Sequence, residues 1–155
     1  MNNTPSYVLA FDSGPHTGVA WFRYGSFAGS ETVEVDPLHA DGQMRRLFEL
    51  LQDGKGLSDA GHIVVIENFH SVGPLTRDGV ATIRLAGFLE GVARIQGYEV
   101  VYHMPSVRKP YIADAKLLVG KAHPHELDAT AHGLALIERR TGGLSTDRPG
   151  QEQTG

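Results

Sequence analysis

The chain has 155 residues, 41% of them apolar, with a net charge of −4 and no cysteine. That is one domain's worth of chain, with apolar content enough for a single core. It excludes disulfides, thiolate metal sites and a cysteine nucleophile, and its acidic balance speaks against a purely electrostatic nucleic-acid binder.

The first six residues are a polar leader with no signal-like pattern. No apolar run approaches the length of a membrane span, so a soluble, cytoplasmic protein without membrane contact is expected. YVLAFDSGPHTGVAWF then reads as two apolar runs joined by a Gly-rich turn. A strand over 7–11 and a second over 18–23 make a hairpin. Val8, Ala10 and Asp12 share a face, because side chains alternate along a strand. Asp12 is either a turn former before Gly14-Pro15 or a carboxylate delivered to a strand tip for chemistry. A third strand over 30–35 completes an antiparallel meander.

Residues 41–51 are predicted helical, with Met44, Leu47, Phe48 and Leu51 on one stripe. The β-branched run over 63–66 is a strand buried on both faces, and it leads into Glu67. Residues 70–79 form a loop. A long helix follows over 80–96, with Leu85, Phe88, Leu89, Val92 and Ile95 as its apolar stripe. Arg84, Gly87, Gly91 and Arg94 lie towards the other side. A fifth strand spans 99–103, one or two helical turns fall near 114–119, and a clear helix runs from Pro124 to Arg140. The stretch 141–155 is Gly/Ser/Thr/Pro-rich and reads as a disordered tail, leaving 1–140 as one domain. The order β-β-β-α-β-α-β-α gives an α/β fold, a five-stranded mixed sheet with helices on both faces and strands one, four and five parallel.

Three segments carry acids to element ends. Asp12 closes the first strand. Glu67 closes the fourth, as a paired carboxylate or simply as the first exposed residue past it. Parallel neighbours lie about 4.8 Å apart, so the two carboxylates can share a cation. On the last helix His125 and Asp128 are three apart and project together; His132 is four further along that face, while Glu126 points away and reads as solvated. Three carboxylates and an imidazole suit Mg²⁺ or Mn²⁺ rather than zinc. Two such ions about 4 Å apart hydrolyse phosphodiesters. His125 is open to two readings, metal ligand or proton carrier.

FDSGPHTGVAWF, IVVIENFH, LAGFLEGVARIQGYEVVYHMPSVRKP and HELDATAHGLAL, in this order, resemble the strand and helix motifs of the RuvC-type Holliday-junction resolvases within the RNase H-like, retroviral-integrase superfamily. The compact form is similar to the resolvase-like nucleases of bacteriophages. The resemblance implies an RNase H-like fold, a catalytic and metal-binding set of Asp12, Glu67, His125 and Asp128, and two Mg²⁺ or Mn²⁺ per site. It also implies a homodimer making paired nicks in four-way DNA junctions, in recombination and repair, and a host-cell cytoplasmic location if the chain is phage-encoded. The stretch between Pro105 and His125 is short for that family and lacks a longer basic helix.

Charge is unevenly spread, which bears on DNA. Residues 26–61 hold seven acids and three bases, whereas 77–121 hold seven bases and four acids. Arg77, Arg84, Arg108 and Lys109 are therefore candidate phosphate contacts, unless they are ordinary solvated charges. Phe69 and His70 either stack on an unpaired base or, for Phe69, fill the core. Gly87 and Gly91 admit either a second helix or the chain's own sheet. Rival readings are a nuclease of the same fold acting on forks, flaps or RNA–DNA hybrids, and an inactive DNA-binding protein. An actin-like nucleotide binder needs two such domains, more than 155 residues supply.

Overall fold

The structure, a computed structural model, describes residues 4–34, 41–57, 61–69 and 73–142, with backbone only at 41–43 and 55. Val35, His70 and all but the first two residues of the expected tail lie outside that set. Five strands form one sheet in the order β3-β2-β1-β4-β5. They are β1 (Tyr7–Asp12), β2 (His16–Arg23), β3 (Ser26–Glu34), β4 (His62–Glu67) and β5 (Glu99–His103). β1, β4 and β5 run parallel, and β2 and β3 antiparallel, as the element order predicted. β2 and β3 are joined at Tyr24-Gly25, both with positive φ, which is what a two-residue hairpin turn needs to follow the strand twist.

β1 is central and buried along its whole length, and its alternation sorts the core into two. Tyr7, Leu9 and Phe11 face helices α1 (Asp41–Asp53) and α2 (Arg77–Ile95), packing with Leu47, Leu50, Leu51, Leu85 and Leu89. Val8 and Ala10 face the other way, onto α4 (Pro124–Arg140), with Ile63, Val65, Ala129 and Leu136. The hydroxyls of Tyr7 and Tyr98 donate to the carbonyls of Leu50 (3.3 Å) and Leu51 (2.7 Å), which α1 leaves unpaired at its C-terminal end.

Two helical faces differ from expectation. Phe48 is exposed and Leu50 takes its place in the α1 core. α2 begins at Arg77, inside the stretch expected to be loop, because the Thr76 hydroxyl accepts from the Gly79 amide (3.1 Å) and caps it. Its buried side is Gly79, Thr82, Leu85, Leu89 and Ala93. Phe88 and Ile95 point outward, Ile95 being 87% exposed. With Gly87 and Gly91, beside which no atom lies within 4 Å of an added Cβ, they give α2 a second, open face. The apolar stripe is wider than one core can cover.

Between β5 and α4 the chain makes a 3-10 turn over Pro105–Tyr111 and a short helix α3 (Ile112–Val119). The turn carries Arg108 back towards the sheet. α4 starts with Pro124 after His123, whose side chain accepts from the His125 amide (3.3 Å). Ala129, Ala131, Gly133 and Ala135 let α4 lie close to the sheet; a Cβ at Gly133 would collide with the Phe22 ring. Glu126 is not solvated as expected. It accepts from Ser30 Oγ (2.5 Å) and Thr32 Oγ1 (3.2 Å), because β3 extends the sheet beneath the first turn of α4.

Candidate active site

Phe11 pairs with Ile66 in the parallel register of β1 and β4, so the next residues, Asp12 and Glu67, emerge side by side at the carboxyl edge of the sheet. That is where open α/β sheets place their ligands. Asp12 does not close its own turn. Thr17 does, its hydroxyl donating to the Gly14 carbonyl (2.7 Å) and accepting from the Gly14 amide (3.3 Å). The Asp12 carboxylate is instead bound by His125, Nδ1 to Oδ2 at 2.6 Å. An ionised carboxylate only accepts, so Nδ1 carries the proton, and in the neutral form of the ring Nε2 is then bare. Asp12 is only 8% exposed. Burial pushes its carboxyl above the usual range; the His125 hydrogen bond opposes this, and the charges of Glu67 and Asp128 add to the rise.

Arg108 joins the other two acids. Its Nη1 donates to Glu67 Oε2 (3.1 Å) and to the Pro105 carbonyl (2.8 Å), and its Nε pairs with Asp128 Oδ1 (3.1 Å). Behind Glu67, His132 donates from Nε2 to the same Oε2 (2.7 Å), and its Nδ1 lies 3.3 Å from Nδ1 of His103. Asp12, Glu67, His125 and Asp128 therefore line one edge of the sheet as two groups, Asp12 with His125 and Glu67 bridged to Asp128 by Arg108, and Asp12 feels the charges of the second group. In donor type they fit hard divalent cations, and positive charge relieves the repulsion from Glu67 and Asp128 that adds to the effect of burial on the Asp12 carboxyl. Arg108 supplies that charge for Glu67 and Asp128 here. Among the described residues no three His, Asp or Glu side chains converge closely enough to hold an ion.

The residues expected to touch DNA are dispersed. Arg108 lies inside the site; Lys109 is exposed beside it on the 3-10 turn; Arg77 and Arg84 are exposed on α2. Phe69 is exposed rather than in the core, its ring lying over Gly79. Sequence reasoning gave no role to Ser13, whose buried Oγ has no hydrogen-bond partner among the described residues, or to His103 and His132. The helical spacing that put His132 on the Asp128 face was the available signal.

Solved structures share this architecture, two RuvC structures among them. RuvC from T. thermophilus in complex with a Holliday junction substrate matches with a TM-score of 0.64 at 18% identity, over 88% of this chain and 96% of that chain. A second Thermus thermophilus RuvC structure matches with a TM-score of 0.62 at the same identity and coverage. The fold is that of RuvC. It bears out the RNase H-like α/β architecture expected from the sequence. No sequence-family model matches the chain, and no curated protein sequence does.

Proposed function

We propose that the chain is a metal-dependent endonuclease that hydrolyses phosphodiester bonds in branched DNA, with four-way junctions as the preferred substrate. The observation that carries this is the side-by-side emergence of Asp12 and Glu67 at the strand ends, with His125 of α4 hydrogen-bonded to Asp12 and Asp128 of α4 linked to Glu67 through Arg108. Asp12, Glu67 and Asp128 would hold Mg²⁺ or Mn²⁺, with His125 as a further ligand or as the base for the attacking water. When bound, such cations supply an acidified water and neutralise the leaving oxygen. The protein residues fix the carboxylates, keep the Asp12 end shielded from solvent, and hold the His125 proton on Nδ1. Nicking assays on a four-way junction, a fork, a flap and an RNA–DNA hybrid test the reading. Fastest cleavage is expected on the junction; cleavage of none of them with Mg²⁺ or Mn²⁺ present overturns it.

Arg108 opposes cation binding by its charge. Arg108→Ala is expected to tighten Mn²⁺ binding about tenfold, about 1.4 kcal/mol, in calorimetric titration without DNA. The same change lowers the metal-free Tm by about 4 °C, because two partly buried carboxylates lose their counter-ion. Unchanged Mn²⁺ affinity would show that Arg108 is no competitor.

The open face of α2 supports a homodimer, since Ile83, Phe88 and Ile95 flank glycines that allow close helix approach. A two-fold pair of sites suits a junction of near two-fold symmetry. Gly87→Glu costs the single chain little, within about 0.5 kcal/mol, because nothing fills the space beside Gly87. It is expected to turn a dimer into a monomer in sedimentation analysis; a dimer that survives it lies elsewhere.

A further inference from the structure

We infer that His132 is a positioning residue, which locks one oxygen of Glu67 from behind and leaves the other to face the divalent cation. This rests on the metal-dependent reading above and adds an atom-level assignment to it. His132 is 0% exposed, on the buried side of α4, four residues beyond Asp128. A fully buried imidazole on a helix face that otherwise packs Ala129 and Leu136 into the core needs a reason, since burying a polar ring without partners is costly.

Its partners supply the reason. Nε2 is 2.7 Å from Glu67 Oε2. A carboxylate only accepts, so Nε2 carries the proton whether His132 is neutral or charged. On the other side Nδ1 lies 3.3 Å from Nδ1 of His103, the last residue of β5 and the register partner of Glu67. His103 is held neutral, its pKa pushed down to about 4 chiefly by burial, with His132 and Arg139 adding to the effect. A neutral His103 carrying its proton on Nδ1 donates to His132 Nδ1, which fixes His132 in the Nε2–H form.

The result is a chain, His103 to His132 to Glu67, running from the interior to the sheet edge. Arg108 also takes Oε2, and no described residue donates to Oε1. Glu67 is thus gripped by one oxygen and presents the other. Buried donors behind a ligand fix its orientation, and their loss costs about 10- to 100-fold in metal affinity.

The test is Mn²⁺ binding to the metal-free protein without DNA, followed by junction nicking. An amide nitrogen in Gln reaches the place of Nε2, whereas that of Asn stops near Nδ1. His132→Asn is expected to weaken Mn²⁺ binding by about 10- to 100-fold and to lower kcat with KM for the junction unchanged, while His132→Gln stays within about threefold of wild type. A residue that only filled space would let both variants bind Mn²⁺ alike, and that result overturns the proposal. Imidazole ¹H–¹⁵N spectra of the wild type give an answer that needs no variant to fold. His132 is expected protonated at Nε2, with a resonance that moves on adding Mg²⁺; a bare Nε2 overturns the proposal. Wild type that binds Mn²⁺ and cleaves while His132→Asn is unaffected fells this inference alone. Wild type that neither binds nor cleaves fells it together with the nuclease reading.

Discussion

Asp12→Asn is expected to abolish cleavage and to stabilise the metal-free protein. The activity loss is about a thousandfold or more, about 4 kcal/mol of transition-state stabilisation, because Asp12 is the most enclosed of the three acids and the one that His125 holds. The stability gain follows from the same enclosure. Burial and the charges of Glu67 and Asp128 raise the Asp12 carboxyl above its ordinary 3.8. A carboxyl whose folded pKa is raised adds stability below the unfolded value and loses it as pH climbs through the folded one. Wild type therefore falls behind Asp12→Asn as pH rises above 3.8. At neutral pH a difference of about 1 kcal/mol corresponds to about 2–4 °C in Tm for a chain of this size. Mn²⁺ reverses the ranking, since only a native state that binds it gains by mass action. Thermal melts with and without Mn²⁺, over a pH series, read the stability effects, and junction nicking reads the loss of cleavage. A variant less stable than wild type without metal, at neutral pH, would show that Asp12 is a structural anchor.

Where one segment decided its own structure, the sequence was legible. The bounds of β5 and α4 follow from local signals, a β-branched run after Gly97 and a Pro124 start ending in Arg139-Arg140. Asp12 and Glu67 were readable as strand-end acids because alternation fixes their face. Three features depended on distant segments and were not readable. Arg108 read as a candidate phosphate contact after strand five, yet the 3-10 turn folds it onto Glu67 and Asp128. His132 stood on the right face of its helix, but its second partner comes from the end of β5. Phe88 and Ile95 fitted the apolar period of α2, but they lie away from its buried side of Leu85, Leu89 and Ala93. Periodicity reports that a face is apolar, not what covers it.

Gly18→Ala is expected to cost both stability and cleavage, for a reason local to the site. Gly18 is the β2 partner of Asp12. A Cβ there would run into the carbonyl of His125 and the amide of Glu126, the backbone of the first turn of α4. No rotamer change relieves a clash with backbone, and Glu126 is tied to Ser30 and Thr32, so the turn must lift as a unit. Overpacking of this kind costs about 1–3 kcal/mol, partly offset by about 0.5–1 kcal/mol because Ala loses less entropy than Gly in a strand. The net loss of about 1 kcal/mol is read as a lower urea midpoint at unchanged m-value. Lifting the turn also moves His125 and Asp128 away from Asp12 and Glu67, and a displacement of about 1 Å in a reacting constellation costs about a hundredfold in rate. Gly56→Ala is the control: Gly56 is exposed with nothing near it, and both measurements should stay at wild type. Wild-type nicking by Gly18→Ala at a lowered midpoint would detach the start of α4 from the chemistry, leaving Asp12 and Glu67 to act without His125 and Asp128.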